Sequence, residues 1–170
     1  MFVSTRCLFP DFTITWLLLS DKMKSLPPNF FPKLTPELIK EYNLEKGIEN
    51  SLSSFLLEVE GKRALFDTGL NEKEGPGIPD RLKELKISPN EIDYVFITHF
   101  HPDHIGGLID KNDKIYFKKA KIYVSKEEYN SWINQPPSEK NELARKIMKI
   151  YENQVVQFNF DDILPLGVKP

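Results

Sequence analysis

Apolar residues along this chain recur first at the spacing of strands and later at the spacing of helices, with proline- and glycine-containing breaks between the runs. Phe12-Thr-Ile-Thr-Trp-Leu-Leu-Leu19 is dense in β-branched and aromatic side chains and reads as a buried strand. Pro27-Pro28, Pro32 and Pro36 then mark a rigid segment leading into a helix over 36–42. Thr35 is its N-cap, Pro36 its first helical residue, and Glu37 lies in the first turn. Ser53 to Val59 and Arg63 to Phe66 flank Glu60-Gly61-Lys62, which predicts a β-hairpin. An amphipathic helix follows, with Ile78, Leu82, Leu85 and Ile87 inward and Arg81, Lys83, Glu84 and Lys86 outward.

Tyr94 to Thr98 is a short continuous apolar run, the pattern of a strand covered on both faces. Lys121 to Val124 predicts a further strand. Ser125 and Glu128 spell a capping box for a helix carrying Tyr129 and Trp132. Helical spacing returns over 138–150, and 155–160 predicts a last strand. There is no internal repeat, low-complexity tract or flexible linker. Strands and helices alternating after a β-rich start predict a single α/β domain built as a sandwich.

Composition narrows the partners. The chain has 170 residues, 40% hydrophobic and 28% charged, which suits one soluble domain with a sizeable core. Its 23 Lys plus Arg against 25 Asp plus Glu leave a net charge of -2, so no overall field draws it to nucleic acid or an anionic membrane. Small molecules are the expected partners. Cys7, the single cysteine, has no internal disulfide partner and reads as an inert thiol. The apolar run behind Arg6 is too short to span a bilayer, is preceded by Asp11 and is followed by no small-x-small cleavage site. The expected location is cytoplasmic, with secretion or the periplasm as the alternative.

All three histidines, His99, His101 and His104, fall in one six-residue window that also holds Asp103. Imidazole and carboxylate are donors that zinc accepts, and a loop after a strand can turn several of them toward one point. His99 and His101, two apart, can share a face and hold one metal, while Asp103 and His104 can face a second. One or two zinc ions are therefore expected, against the plainer reading of a histidine-rich surface turn. Pro102 stiffens the loop, and Gly106-Gly107 is expected to let backbone pass close to the metals. Asp67 ends its own strand, either to orient a ligand histidine or as a turn aspartate before Thr68-Gly69. Lys118, Lys119 and Lys121 read as a solvated face rather than a basic binding patch.

Phe66-Asp67-Thr68-Gly69, Ile92-Asp93 and Ile97-Thr98-His99-Phe100-His101-Pro102-Asp103-His104-Ile105-Gly106-Gly107 together resemble two early motifs of the metallo-β-lactamase superfamily, in order and spacing. The likeness is firm over about 51–124, and the long early segment looks like lactonase-type members. It implies a four-layer αββα sandwich. By position, His99 and His101 match ligands of a first zinc, Asp103 and His104 ligands of a second, and Asp67 a supporting aspartate. Family members add further ligands from a carboxy-terminal half, whereas no histidine follows His104 here. The expectation is a partial domain over 1–170, truncated to its amino-terminal half, whose exposed sheet face promotes self-association.

Within the resemblance, His104 argues against antibiotic hydrolysis, His101 against di-iron redox chemistry, and Pro102 with the negative net charge against a ribonuclease. What it implies is zinc-dependent hydrolysis of a small ester, lactone or thioester by a metal-bound hydroxide, with Asp103 in the catalytic set. The alternative is an inactive remnant or binding module of the same fold.

Overall fold

A computed structural model describes residues 4–20, 24–74 and 77–170. The first strands, β1 (Ser4–Leu8) and β2 (Phe12–Leu18), form an antiparallel pair. An arm follows, made of β3 (Lys24–Leu26), α1 (Pro36–Glu41) and β4 (Ile48–Asn50), in which β3 and β4 pair as a separate small sheet. Thr35 caps α1 through the Leu38 amide, as its sequence predicts. The predicted hairpin is β5 (Ser53–Val59) with β6 (Lys62–Phe66). Its turn places Glu60 at φ 48 and Gly61 at φ 75, the doubly left-handed geometry that matches the twist of tight hairpins.

From there the chain winds in strand–helix units: α2 (Ile78–Glu84), β7 (Tyr94–Phe96), α3 (Pro102–Ile105), β8 (Lys121–Ser125), α4 (Lys126–Trp132), α5 (Glu142–Ile150) and β9 (Val155–Phe158). The main sheet has seven strands in the order β1-β2-β5-β6-β7-β8-β9, antiparallel up to β6 and parallel beyond it. One face packs on the helices: Leu56, Leu65, Val95 and Ile122 of the strands meet Leu82, Ile105, Trp132 and Ile147. The opposite face carries a smaller cluster of Leu57, Ala64, Phe96 and Phe158, covered in part by Leu164. Pairing of Trp16 with Phe55, and of Ile14 with Leu57, puts those side chains on this same face. Trp16 is 36% and Phe55 45% exposed there. The described residues thus form one sheet layer and one helix layer of an α/β sandwich.

Three expectations are revised. Arg81 is buried rather than outward: its Nε donates to the Leu18 carbonyl at 2.6 Å and its Nη1 meets Glu84 at 2.7 Å, so the side chain bridges α2 to the end of β2. The last long helix starts at Glu142 rather than 138, because Asn141 ties residues 138–141 into a turn. Its Oδ1 accepts from the Ser138 amide and its Nδ2 donates to the Trp132 and Pro136 carbonyls. Ser125 accepts from the Glu128 amide, but the Glu128 carboxylate turns to the Phe100 amide instead of completing a capping box.

Tyr151 pins the helix layer to the loop beyond the histidines. Its hydroxyl donates to the Leu108 carbonyl and accepts from the Tyr116 and Phe117 amides, and burial pushes the phenol up to about 12. Tyr151→Phe should strand these groups inside the core and cost about 2–3 kcal/mol in a urea titration. A loss below about 0.5 kcal/mol would show that they find other partners.

Candidate metal centre

Parallel pairing of Phe66 with Phe96 brings the carboxyl ends of β6 and β7 side by side, so the segments leaving them emerge together. Asp67 leaves β6 at φ 60, a left-handed conformation held by its own amide donating to the Phe96 carbonyl at 2.9 Å. The Ser54 hydroxyl donates to the Asp67 carbonyl at 2.9 Å and reaches the Phe66 carbonyl at 3.0 Å. The buried aspartate is thereby aimed at the segment following β7.

Both of its oxygens are engaged. Oδ1 accepts from the Thr98 amide at 2.8 Å, and Oδ2 accepts from the Thr98 hydroxyl at 2.8 Å and pairs with His104 Nδ1 at 2.7 Å. The Thr68 amide and hydroxyl both donate to the His104 carbonyl, at 2.8 and 2.9 Å. His104 is consequently fixed at ring and backbone by one short stretch of chain. Asp103 and His104 sit in the single turn of α3, opened by Pro102 at its first position, rather than in irregular loop.

The three imidazoles cluster closely, His99 tilted against His104 and edge-on to His101. The ring centroid of His99 lies 3.8 Å from that of His104 and 4.7 Å from that of His101, and the His101 centroid stands 5.3 Å from that of Trp132. His101 and Asp103 are exposed, while His99 and His104 are half-buried, so the cluster opens to solvent on one side. Burial, with the neighbouring His104 and His101 charges, holds His99 below the ordinary histidine range. The hydrogen bond to Asp67 outweighs burial at His104 and raises it.

These donors fit zinc. With Nδ1 of His104 engaged by Asp67, Nε2 is the nitrogen left for a metal, and it lies 3.7 Å from Asp103 Oδ2. Two ligands on one tetrahedral zinc stand about 3.3 Å apart, given bonds of about 2.0–2.1 Å. The two separations differ by about 0.4 Å. Among the described residues no three His, Cys, Asp or Glu side chains have converged on a single point, so the donors stand as adjacent pairs.

Gly106 and Gly107 allow a close approach of two backbone segments. They lie against the backbone leaving β6: a Cβ on Gly107 would meet the Thr68 carbonyl oxygen at 2.2 Å, and one on Gly106 the Asn71 nitrogen at 2.6 Å. Thr98 and Glu128 also belong to the site's surroundings and had no signal beyond adjacency to His99 and a place in an apparent capping box. Lys118, Lys119 and Lys121 are exposed, and so is Cys7.

The class these features define is an α/β sandwich with a histidine–carboxylate cluster at the carboxyl end of a parallel strand. The sequence profile of the metallo-beta-lactamase superfamily matches residues 48–169, and the chain belongs to that superfamily of hydrolases. It is 39% identical over 66 residues to a ribonuclease Z of Nanoarchaeum equitans (strain Kin4-M), covering 39% of this chain and 19% of that protein. It is 28% identical over 130 residues to a ribonuclease Z of Thermococcus gammatolerans, covering 69% of this chain and 40% of that protein. In three dimensions it is similar to AidC, a dizinc quorum-quenching lactonase, with a TM-score of 0.81 and 22% identity over 95% of this chain and 63% of the other. At that identity the likeness shows the fold. The chain spans well under half the length of these two curated relatives and about three fifths of the lactonase. Among the described residues no helix is long and apolar enough to cross a membrane.

Proposed function

We propose that the chain carries the zinc-binding portion of a hydrolase acting on a small ester, lactone or thioester. The observation that carries this is the Asp67–His104 bond of 2.7 Å, which turns Nε2 of His104 toward Asp103 beside two further imidazoles. A carboxylate behind a histidine is how proteins fix the tautomer of a metal ligand. His99 and His101 would hold one ion, and Asp103 with His104 a second. Zinc there would acidify water and polarise the bond to be cleaved. Asp103, which is exposed, would orient the attacking water as well as bind metal. The small-molecule substrate is favoured by the similarity in fold to a lactonase and by the net charge of -2.

The second reading is phosphodiester cleavage in nucleic acid, favoured by the stretches of identity to ribonuclease Z. A third is a remnant of the fold that binds metal without turnover, its donors standing as adjacent pairs among the described residues rather than as one converged set. Zinc content and affinity of the purified chain, with His101→Ala as control, test the site first. Near-stoichiometric zinc lost in the variant supports it, and equal retention in both proteins refutes it. Lactone, ester and thioester panels beside single-stranded RNA and a phosphodiester reporter then separate the substrate classes, and zinc without turnover on any of them supports the remnant.

A further inference from the structure

We propose that Glu128, on α4, is a positioning residue for the histidine cluster, setting the directions of His99 and His101 through the residue between them; this rests on the metal reading above. Phe100 separates the two histidines, and both of its handles are held by α4. Phe100 is 1% exposed, and its ring centroid lies 6.5 Å from that of Tyr129 and 6.4 Å from that of Trp132. Its amide donates to Glu128 Oε1 at 2.7 Å. That amide belongs to the peptide joining His99 to Phe100, so fixing it together with the ring sets the backbone on both sides. His99 and His101 flank Phe100 directly and their ring centroids lie 4.7 Å apart, so the placement of the Phe100 unit bears on where both histidines point.

The carboxylate has forgone another partner to do this. As the third residue of a helix capped by Ser125, Glu128 stands where a glutamate returns to the cap residue's amide, and Ser125 makes its half of that exchange at 3.1 Å. The side chain reaches across to the histidine segment instead, where a charged acceptor makes a stronger bond than a neutral one. Trp132, one turn further along α4, touches both Phe100 and His101. One face of this short helix is thus the platform on which the His99–His101 segment rests.

The test is a cobalt(II) titration followed by visible absorption, with hydrogen exchange of the Phe100 amide measured alongside on the metal-free chain. Glu128→Ala should weaken cobalt binding about 10–100-fold, the usual effect of losing a group that orients a ligand. Glu128→Asp, which keeps the charge but withdraws the acceptor, should do the same, and it serves should the alanine variant not fold. Glu128→Gln should recover most of the affinity, because an amide oxygen still accepts from the Phe100 amide. Ser125→Ala, which removes the cap of the same helix, should lower the melting temperature while leaving cobalt affinity unchanged. Wild-type affinity in Glu128→Ala and Glu128→Asp, or an equal loss in Ser125→Ala, overturns the proposal. Should the wild-type chain take up no cobalt, the metal reading fails and the amide decides alone. Protection lost in Glu128→Ala and kept in Glu128→Gln then supports the positioning role, and equal protection in all variants overturns it.

Discussion

Gly107→Ala is expected to cost at least about 3 kcal/mol, a large part of the 5–15 kcal/mol that holds a domain of this size together. The added methyl would lie 2.2 Å from the Thr68 carbonyl oxygen and 3.1 Å from its carbonyl carbon. Most of what it meets is backbone, and neither segment is free to yield. Residues 68–71 and 104–109 are zipped together by Thr68 N to His104 O at 2.8 Å, Gly107 N to Gly69 O at 3.0 Å, and Asn71 Nδ2 to Ile109 O at 2.8 Å. Separating them by the needed ångström breaks these bonds and opens the core around Ile105 and Leu108, both fully buried. Gly61→Ala is the control. Nothing lies within 4 Å of its Cβ position, and only the left-handed φ of 75 is penalised, at about 1 kcal/mol. Urea titration of both variants checks the pair: comparable losses would mean that the two segments are not in the close contact described.

The Gly-Gly pair also shows where sequence reading succeeded and where it stopped. That two adjacent glycines imply a close backbone approach was legible, but what approaches them was not, because the partner lies 35 or more residues away and is set by the parallel pairing of β6 with β7. Secondary structure was legible wherever local chemistry decides it: Thr35 at the start of α1, the Glu60-Gly61 turn, and the apolar run of β7, which proved interior to the sheet. Arg81 misled because an arginine among lysines on a helix face reads as solvent-facing, while its guanidinium had a carbonyl to cap at the distant end of β2. Glu128 misled in the same way, since a local partner was available and a remote one took it. The arm strands β3 and β4, each three residues long, carry too few positions for a period to show. Within the cluster, the donor types were legible from their crowding into 99–104. Which nitrogen of His104 is engaged was not, because it depends on where the end of β6 aims Asp67.

Asp67→Asn should weaken zinc binding about 10–100-fold and do so through the tautomer of His104 rather than through loss of fold. The asparagine carbonyl can still accept from the Thr98 amide, so the joint between β6 and β7 survives. The amide nitrogen would stand where Oδ2 now meets His104 Nδ1 and, being a donor, would require that nitrogen to accept. The ring proton must then move to Nε2, the nitrogen facing Asp103, where it opposes metal. In the metal-free protein the same substitution has a pH signature. Asp67 raises the folded-state pKa of His104 above the ordinary 6.5, so the stabilisation is fully present below that value and fades as pH climbs through the raised one. The melting-temperature gap between wild type and variant should accordingly be widest in mildly acidic buffer and narrow toward alkaline pH, leaving a constant remainder from the Thr98 hydroxyl. Zinc competition titrations and melts across this range check both parts. An unchanged zinc affinity would mean that the Asp67–His104 bond does not orient a ligand, and a gap that widens with pH would mean that His104 is not held protonated by Asp67.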